Sequence, residues 1–322
     1  MNNRVDHDDR PIGIFDSGIG GLTVVKAVHR LLPYENIIYF GDLARIPYGT
    51  KSKEAITEYS LQSVNFLIKQ NVKMIVIACN TIASTAGEEI DAICNKYNIV
   101  LVNLIDCVVQ KLWDWSESKI DINQEILKKD QCYNYLILAT PATIKSNYYQ
   151  RLLQVLPLTG AIYGQACELF VPIIEDGSLL YDELGNINSK GQHIVKEIVV
   201  HYLEKFFPIN ISTIILGCTH YPIITNVIVA VLKEYMINNQ CSADSELEYP
   251  EIIDPAIVVA HRVKFLLQGL VNSTYLCLQQ NSSDSQGAVK FYITDAKERF
   301  IKIASIILEQ SRQTISDNVA VI

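Results

Sequence analysis

Apolar residues fall along this chain in two alternating rhythms. Short, near-continuous runs such as IGIFD, NIIYFGD, MIVIAC and IVLVNLI are separated by stretches in which apolar positions return every three or four residues, as in LTVVKAVHRLL and SKEAITEYSLQSVNFLIKQ. The runs have the length and β-branched content of strands, and the stretches have the spacing of helices. A further helix is predicted to begin near Thr81, directly after the third run. Strands that are apolar throughout belong to parallel sheets covered by helices on both faces.

The second half repeats the rhythm. YNYLILAT is followed by a turn and a helical stretch, IKSNYYQRLLQVL, then by AIYGQAC, a helix around IVKEIVVHYLEKF, and the strand TIILGCT. AVKFYIT and DAKERFIKIASIILEQ close the chain as one more strand and helix. The pattern predicts an α/β fold of two similar lobes, a loose duplication rather than a solenoid repeat. The segments 113–131 and 238–251 read as solvated connections or surface insertions.

Composition narrows the class. Of 322 residues, 49% are hydrophobic and 19% charged, as in a globular protein long enough for two cores. The net charge of −8 argues against a nucleic-acid surface. No apolar run is long enough to span a bilayer, and the charged opening MNNRVDHDDRPIG does not read as a secretory signal. Eight cysteines without a CxxC pair suit free thiols in a reducing cytoplasm.

In open α/β sheets ligands bind at the carboxyl ends of the strands. Three such tips carry chemistry here. FDSGIGG sets Asp16 and Ser17 before Gly18, Gly20 and Gly21, and Thr23 stands where a dinucleotide fingerprint needs its third glycine. The turn suits a small carboxylate at a helix N-terminus, or is simply a tight connection capped by Asp16. IACNT and LGCTH each deliver a thiol after an apolar run, Cys79 and Cys218. A single such cysteine is commonly a small buried hydrophobe. Two in matching contexts point to paired function, because a thiol titrating near about 8.5 becomes reactive when polar neighbours favour its thiolate. Asn80 and Thr81 follow the first thiol, and Thr219 and His220 the second. No zinc-ligand spacing surrounds Cys218 and His220, so no metal is expected. GxSxG is missing, which removes a serine hydrolase.

Other positions have two readings each. Tyr48 and Gly49 in ARIPYG offer a phenol and a backbone amide to a substrate, or form a plain turn. Glu175 in FVPIIEDG is a site carboxylate or a solvated helix end. Trp113 and Trp115 read as local packing. His7, His29, His193, His201 and His261 read as surface or packing residues.

Taken together, FDSGIGGLTV, GDLARIPYG, IACNT, ATPATIKSNYY, CELFVPIIE and LGCTHYP resemble the glutamate racemase family, in that family's order. KFYITDAKERF is similar to the family's end, and the likeness spans nearly the whole chain outside the two insertions and the short N-terminal extension. The resemblance implies cofactor-independent racemisation of glutamate, supplying D-glutamate for peptidoglycan, in a cleft between two α/β lobes. It places 1–103 with 240–322 in one lobe and 104–239 in the other. Cys79 and Cys218 would be the catalytic bases, Asp16 assisting the first and His220 the second, with Glu175 supporting His220. Ser17, Tyr48, Gly49, Asn80, Thr81, Thr143 and Thr219, together with Asp16 and His220, would hold substrate. No cofactor is implied. Beyond glutamate, the implied partners are a second copy of the chain and, in members with longer N-terminal extensions, an activating cell-wall precursor. Glu168 stands where the family often has proline, and Ala139 where glycine is common. Aspartate racemases of the superfamily typically carry glutamate at the place of His220, which favours glutamate as substrate. The competing readings are an aspartate- or hydantoin-type racemase and a non-catalytic amino-acid-binding regulator.

Overall fold

The computed structural model describes residues 8–119, 132–182, 185–238, 249–270 and 286–322. The chain divides into two compact units, Met1–Cys107 with Pro255–Ile322, and Val108–Asp254. Each is built on its own parallel sheet.

In the first unit, β1 (Ile12–Asp16), β2 (Ile37–Gly41) and β3 (Met74–Ile77) are buried along their full length. They are joined by β4 (Val100–Asn103), β9 (Val289–Ile293) and β10 (Val319–Val321) in the order β10-β9-β2-β1-β3-β4. Three of the four near-continuous apolar runs are therefore central strands, while the fourth, β4, is an edge strand whose first two residues are only partly buried. Helix α1 (Leu22–Leu31) packs with the helices Pro255–Leu270 and Lys297–Ile307. Helix α2 (Lys53–Lys69) packs with α3 (Asn80–Lys96). Ser52 caps α2 by accepting the Ala55 N–H at 3.3 Å, and its neighbour Glu54 sits at the positive end of the helix.

The second sheet runs β6-β5-β7-β8, formed by β6 (Thr159–Ala166), β5 (Tyr133–Ala139), β7 (Thr213–Gly217) and β8 (Glu251–Ile253). Its core gathers Leu136, Leu138, Phe170, Val195, Val199, Ile214, Leu216 and Tyr221. Phe170 meets Tyr221 and Tyr202 edge-on at 5.0 and 5.2 Å. The order β2-β1-β3-β4 in the first unit matches β6-β5-β7-β8 in the second. In each case a thiol follows the third strand of the series, Cys79 after β3 and Cys218 after β7.

Three details depart from the sequence expectation. The helical stretch after β5 is broken into α5 (Pro141–Ser146) and α6 (Tyr148–Leu153), because Asn147 adopts a left-handed conformation at φ 53°. Asparagine tolerates that region better than most residues, so an apolar rhythm can run unbroken through a kink. Residues 113–118 are not a connection but the last turns of α4 (Leu104–Ser118), where Trp115 packs edge-on against Tyr133 at 4.6 Å. The rest of that segment, 120–131, lies outside the described residues, as does 239–248 of the second. Finally, β8 pairs with β7, so the second unit extends to Asp254 instead of ending at 239. Among the described residues no helix is long and apolar enough to cross a membrane.

Candidate active site

Parallel strands bring their carboxyl tips to one edge, and the register shows which residues meet there. In the first unit Asp16 ends β1 opposite Gly41, and the Ala78 N–H bonds to Phe15 O at 2.9 Å. Ser17 and Cys79 thus leave neighbouring strands side by side. Ser17 Oγ lies 3.1 Å from Asp16 Oδ1 and 3.4 Å from Cys79 Sγ. Asp16 Oδ1 also accepts the Gly18 N–H at 3.0 Å, fixing the carboxylate against its own turn. The hydroxyl is placed to pass polarity between carboxylate and thiol. Gly21 of this turn acts through close approach rather than through positive φ. A Cβ on Gly21 would stand 2.7 Å from Asp16 Cβ and 2.9 Å from Oδ2.

Cys79 is extended, at φ −132° and ψ 118°, and is the N-cap of α3. Its thiol therefore stands at the N-terminal, positive end of the helix. Asn80 and Thr81 form the first turn and are buried. The short helix Tyr48–Thr50 packs against α3, and Tyr48 lies close enough to Cys79 at the start of α3 to feel its charge. The Tyr48 phenol has a partner of its own. It is buried and donates to Asp42 Oδ2, and burial first, with that bond second, pushes its pKa well up.

The second unit has a different supporting cast. Cys218 follows β7, and one turn of 3-10 helix, Tyr221–Ile224, folds His220 back beneath it. His220 Nδ1 lies 3.6 Å from Cys218 Sγ, and Nε2 lies 3.0 Å from Glu175 Oε1. Glu175 is buried on α7 (Phe170–Asp176) and is not the solvated helix end its sequence context also allowed. Burial works against charge on His220, but hydrogen bonds to Cys218 and Glu175, and their charges, outweigh it and hold the pKa well above the usual histidine value. A protonated imidazole has an N–H on each nitrogen, so it can donate to the sulfur and to the carboxylate together.

Thr219 is buried beside the thiol in sequence. Ala139 pairs with Gly217, so Thr140 and Cys218 leave adjacent strand tips. Thr140 caps α5 by accepting the Thr143 N–H, and its Oγ1 lies 3.1 Å from the buried Thr143 Oγ1. The tip of β6 reaches the same edge, since the Cys167 N–H bonds to Ala139 O at 2.9 Å. Of the two departures from the family pattern, Ala139 is fully buried at the end of β5 and Glu168 is exposed.

Sequence reasoning did not single out Asp42, Arg45 or Thr294, which surround Tyr48. The only available signal was the position of Asp42 at a strand tip in GDLAR.

No protein-family model matches the chain. The glutamate racemase of Thermoanaerobacter pseudethanolicus is 33% identical over 310 residues, covering 96% of this chain and 97% of that protein. The chain belongs to the glutamate racemase family. Another member, from Neisseria meningitidis serogroup C, is 34% identical over 309 residues, covering 95% of each. The crystal structure of glutamate racemase from Francisella tularensis in complex with D-glutamate matches with a TM-score of 0.73 at 34% identity, over 98% of both chains. The racemase isoform RacE1 of Bacillus anthracis gives 0.73 at 26% identity over the same shares. The family's two-domain α/β fold is thus the fold of this chain.

Proposed function

We propose that the chain interconverts L- and D-glutamate by direct proton transfer, with Cys79 and Cys218 as the two bases. The observation that carries this reading is the matched placement of the thiols. Each follows the third strand of an equivalent four-strand series, and each meets a polar relay, Ser17 with Asp16 for Cys79 and His220 with Glu175 for Cys218.

Inverting an α-carbon without a carrier needs a base on one face and an acid on the other. In one direction Cys79 takes the α-proton as thiolate while the Cys218 thiol delivers its own; the reverse exchanges the roles. Charge developing next to the α-carboxylate needs oriented donors. Asn80, Thr81, Thr219, Thr143 and the backbone after Asp16 are the groups we assign to it, with Tyr48 and Gly49 contributing through their main chain. The metal-free, cofactor-free chemistry expected from the sequence belongs to this proposal.

We place the reaction in the cytoplasm, where it would supply D-glutamate for peptidoglycan. The described cysteines are all free thiols, which suits a reducing compartment. Homodimer formation and response to a cell-wall precursor belong to the same proposal, read by sedimentation and by assays with the precursor added.

The decisive test incubates the protein with L-glutamate in deuterated water, without added cofactor, following optical rotation and α-hydrogen exchange. Wild type should do both, and Cys79→Ser and Cys218→Ser should each lose net inversion. Wild type that neither exchanges nor inverts glutamate removes the proposal, and faster turnover of aspartate would redirect it to that substrate.

A further inference from the structure

A second polar cluster occupies the same strand edge of the first unit. Gly41 pairs with Ile293 across β2 and β9, so Asp42 and Thr294 leave adjacent tips although 252 positions separate them. Asp42 is fully buried. Its Oδ1 accepts the Thr294 hydroxyl at 3.0 Å. Its Oδ2 lies 2.6 Å from Arg45 Nε and also accepts the Tyr48 hydroxyl. Thr294 Oγ1 in turn accepts the Ala44 N–H at 2.9 Å. A hydroxyl that donates to a carboxylate and accepts an amide has its orientation fixed. Arg45 continues the cluster outward, donating to Gln62 Oε1 at 2.6 Å and lying 4.2 Å over the Tyr59 ring. Tyr59 is tilted against Tyr48 at 5.9 Å.

The segment 43–50 is therefore tied along its length to one carboxylate: its start through Ala44 and Thr294, its middle through Arg45, its end through Tyr48. With the phenol donating to Asp42, the main-chain groups of Tyr48 and Gly49 are what this short helix, packed against α3, has left to offer a ligand.

We infer that Asp42 and Thr294 are positioning residues for glutamate binding, acting by fixing the backbone of Tyr48 and Gly49. The inference rests on the proposed assignment of those two residues to substrate. Thr294 comes from a strand tip that supplies no residue assigned to the reaction.

Thr294→Val keeps the shape but removes the hydroxyl, leaving Asp42 short of a donor and the Ala44 N–H short of an acceptor; Thr294→Ser restores both. KM for L-glutamate and kcat are read by circular dichroism. Thr294→Val should raise KM about tenfold, the effect of one charge-assisted hydrogen bond lost from a buried site. Its kcat should stay within about threefold, and Thr294→Ser should match wild type in both. Arg45→Gln, at a partly exposed side chain, removes the cation from the same carboxylate and should raise KM in the same direction. Wild-type KM in both Thr294→Val and Arg45→Gln overturns the inference, as does an equal KM rise in Thr294→Val and Thr294→Ser. A wild-type chain that racemises no glutamate overturns the assigned reaction first, and this inference with it.

Discussion

Replacing Glu175 with glutamine keeps the size of the side chain and an oxygen near His220 but removes the charge. Both partners are nearly sealed from water, at 6% side-chain exposure each, and 3.0 Å apart. Breaking such a pair by neutralising one member costs about 3 kcal/mol, because the remaining imidazolium keeps its burial penalty. The effect should depend on pH in a definite sense. His220 is held above its ordinary value of 6.5. The ion pair therefore contributes in full below about pH 6.5 and is lost as pH rises through the folded value. Glu175→Gln removes part of what raises His220, so its pKa falls and the stability difference from wild type narrows as pH rises. We expect about 3 kcal/mol at about pH 6, shrinking toward about 1 kcal/mol, the worth of a neutral hydrogen bond, once wild-type His220 has deprotonated. Urea denaturation followed by tryptophan fluorescence is the assay. Both tryptophans, Trp113 and Trp115, lie on α4 within the second unit, so the signal reports the unit that holds His220. A stability difference that stays constant across this pH range would refute a charged His220.

Two further outcomes test other parts of the structure. Gly21→Ala forces a methyl group into the Asp16 side chain and to within 3.1 Å of Ala78 Cβ. It should destabilise by about 2 kcal/mol in thermal unfolding and lower kcat, because Asp16 must shift. Lys73→Met acts at the opposite sheet edge, where Lys73 Nζ holds buried Glu35 at 2.6 Å and the Asp8 carbonyl at 2.8 Å. Leaving Glu35 without its cation should destabilise by about 3 kcal/mol in urea denaturation, with KM for glutamate unchanged.

The strand tips were legible because two local signals coincide there: an apolar run, then an abrupt polar change. That is why Asp16, Cys79 and Cys218 stand out, and why β1, β3 and β7 fall where the pattern puts them. Contacts between distant segments leave no such mark. Residue pattern alone leaves Glu175 between a site carboxylate and a solvated helix end, and only the fold brings His220, 45 positions away, against it. Thr294 is one hydroxyl in an ordinary strand–turn sequence, and only the register of β2 with β9 gives it a role. The three-residue β8 is too short for a period to register, so the sequence reading returned to the first unit too early.

The matched strand series with unmatched helpers has a thermodynamic consequence. L- and D-glutamate are equally stable in water, so their equilibrium constant is unity however different the groups behind the two sulfurs are. The Haldane relation then forces kcat/KM to be the same for both enantiomers. Asymmetry between a serine–aspartate pair and a histidine–glutamate pair can surface only as compensating changes in kcat and KM. A substitution confined to one half must therefore slow the conversion of both mirror images by the same factor at low substrate.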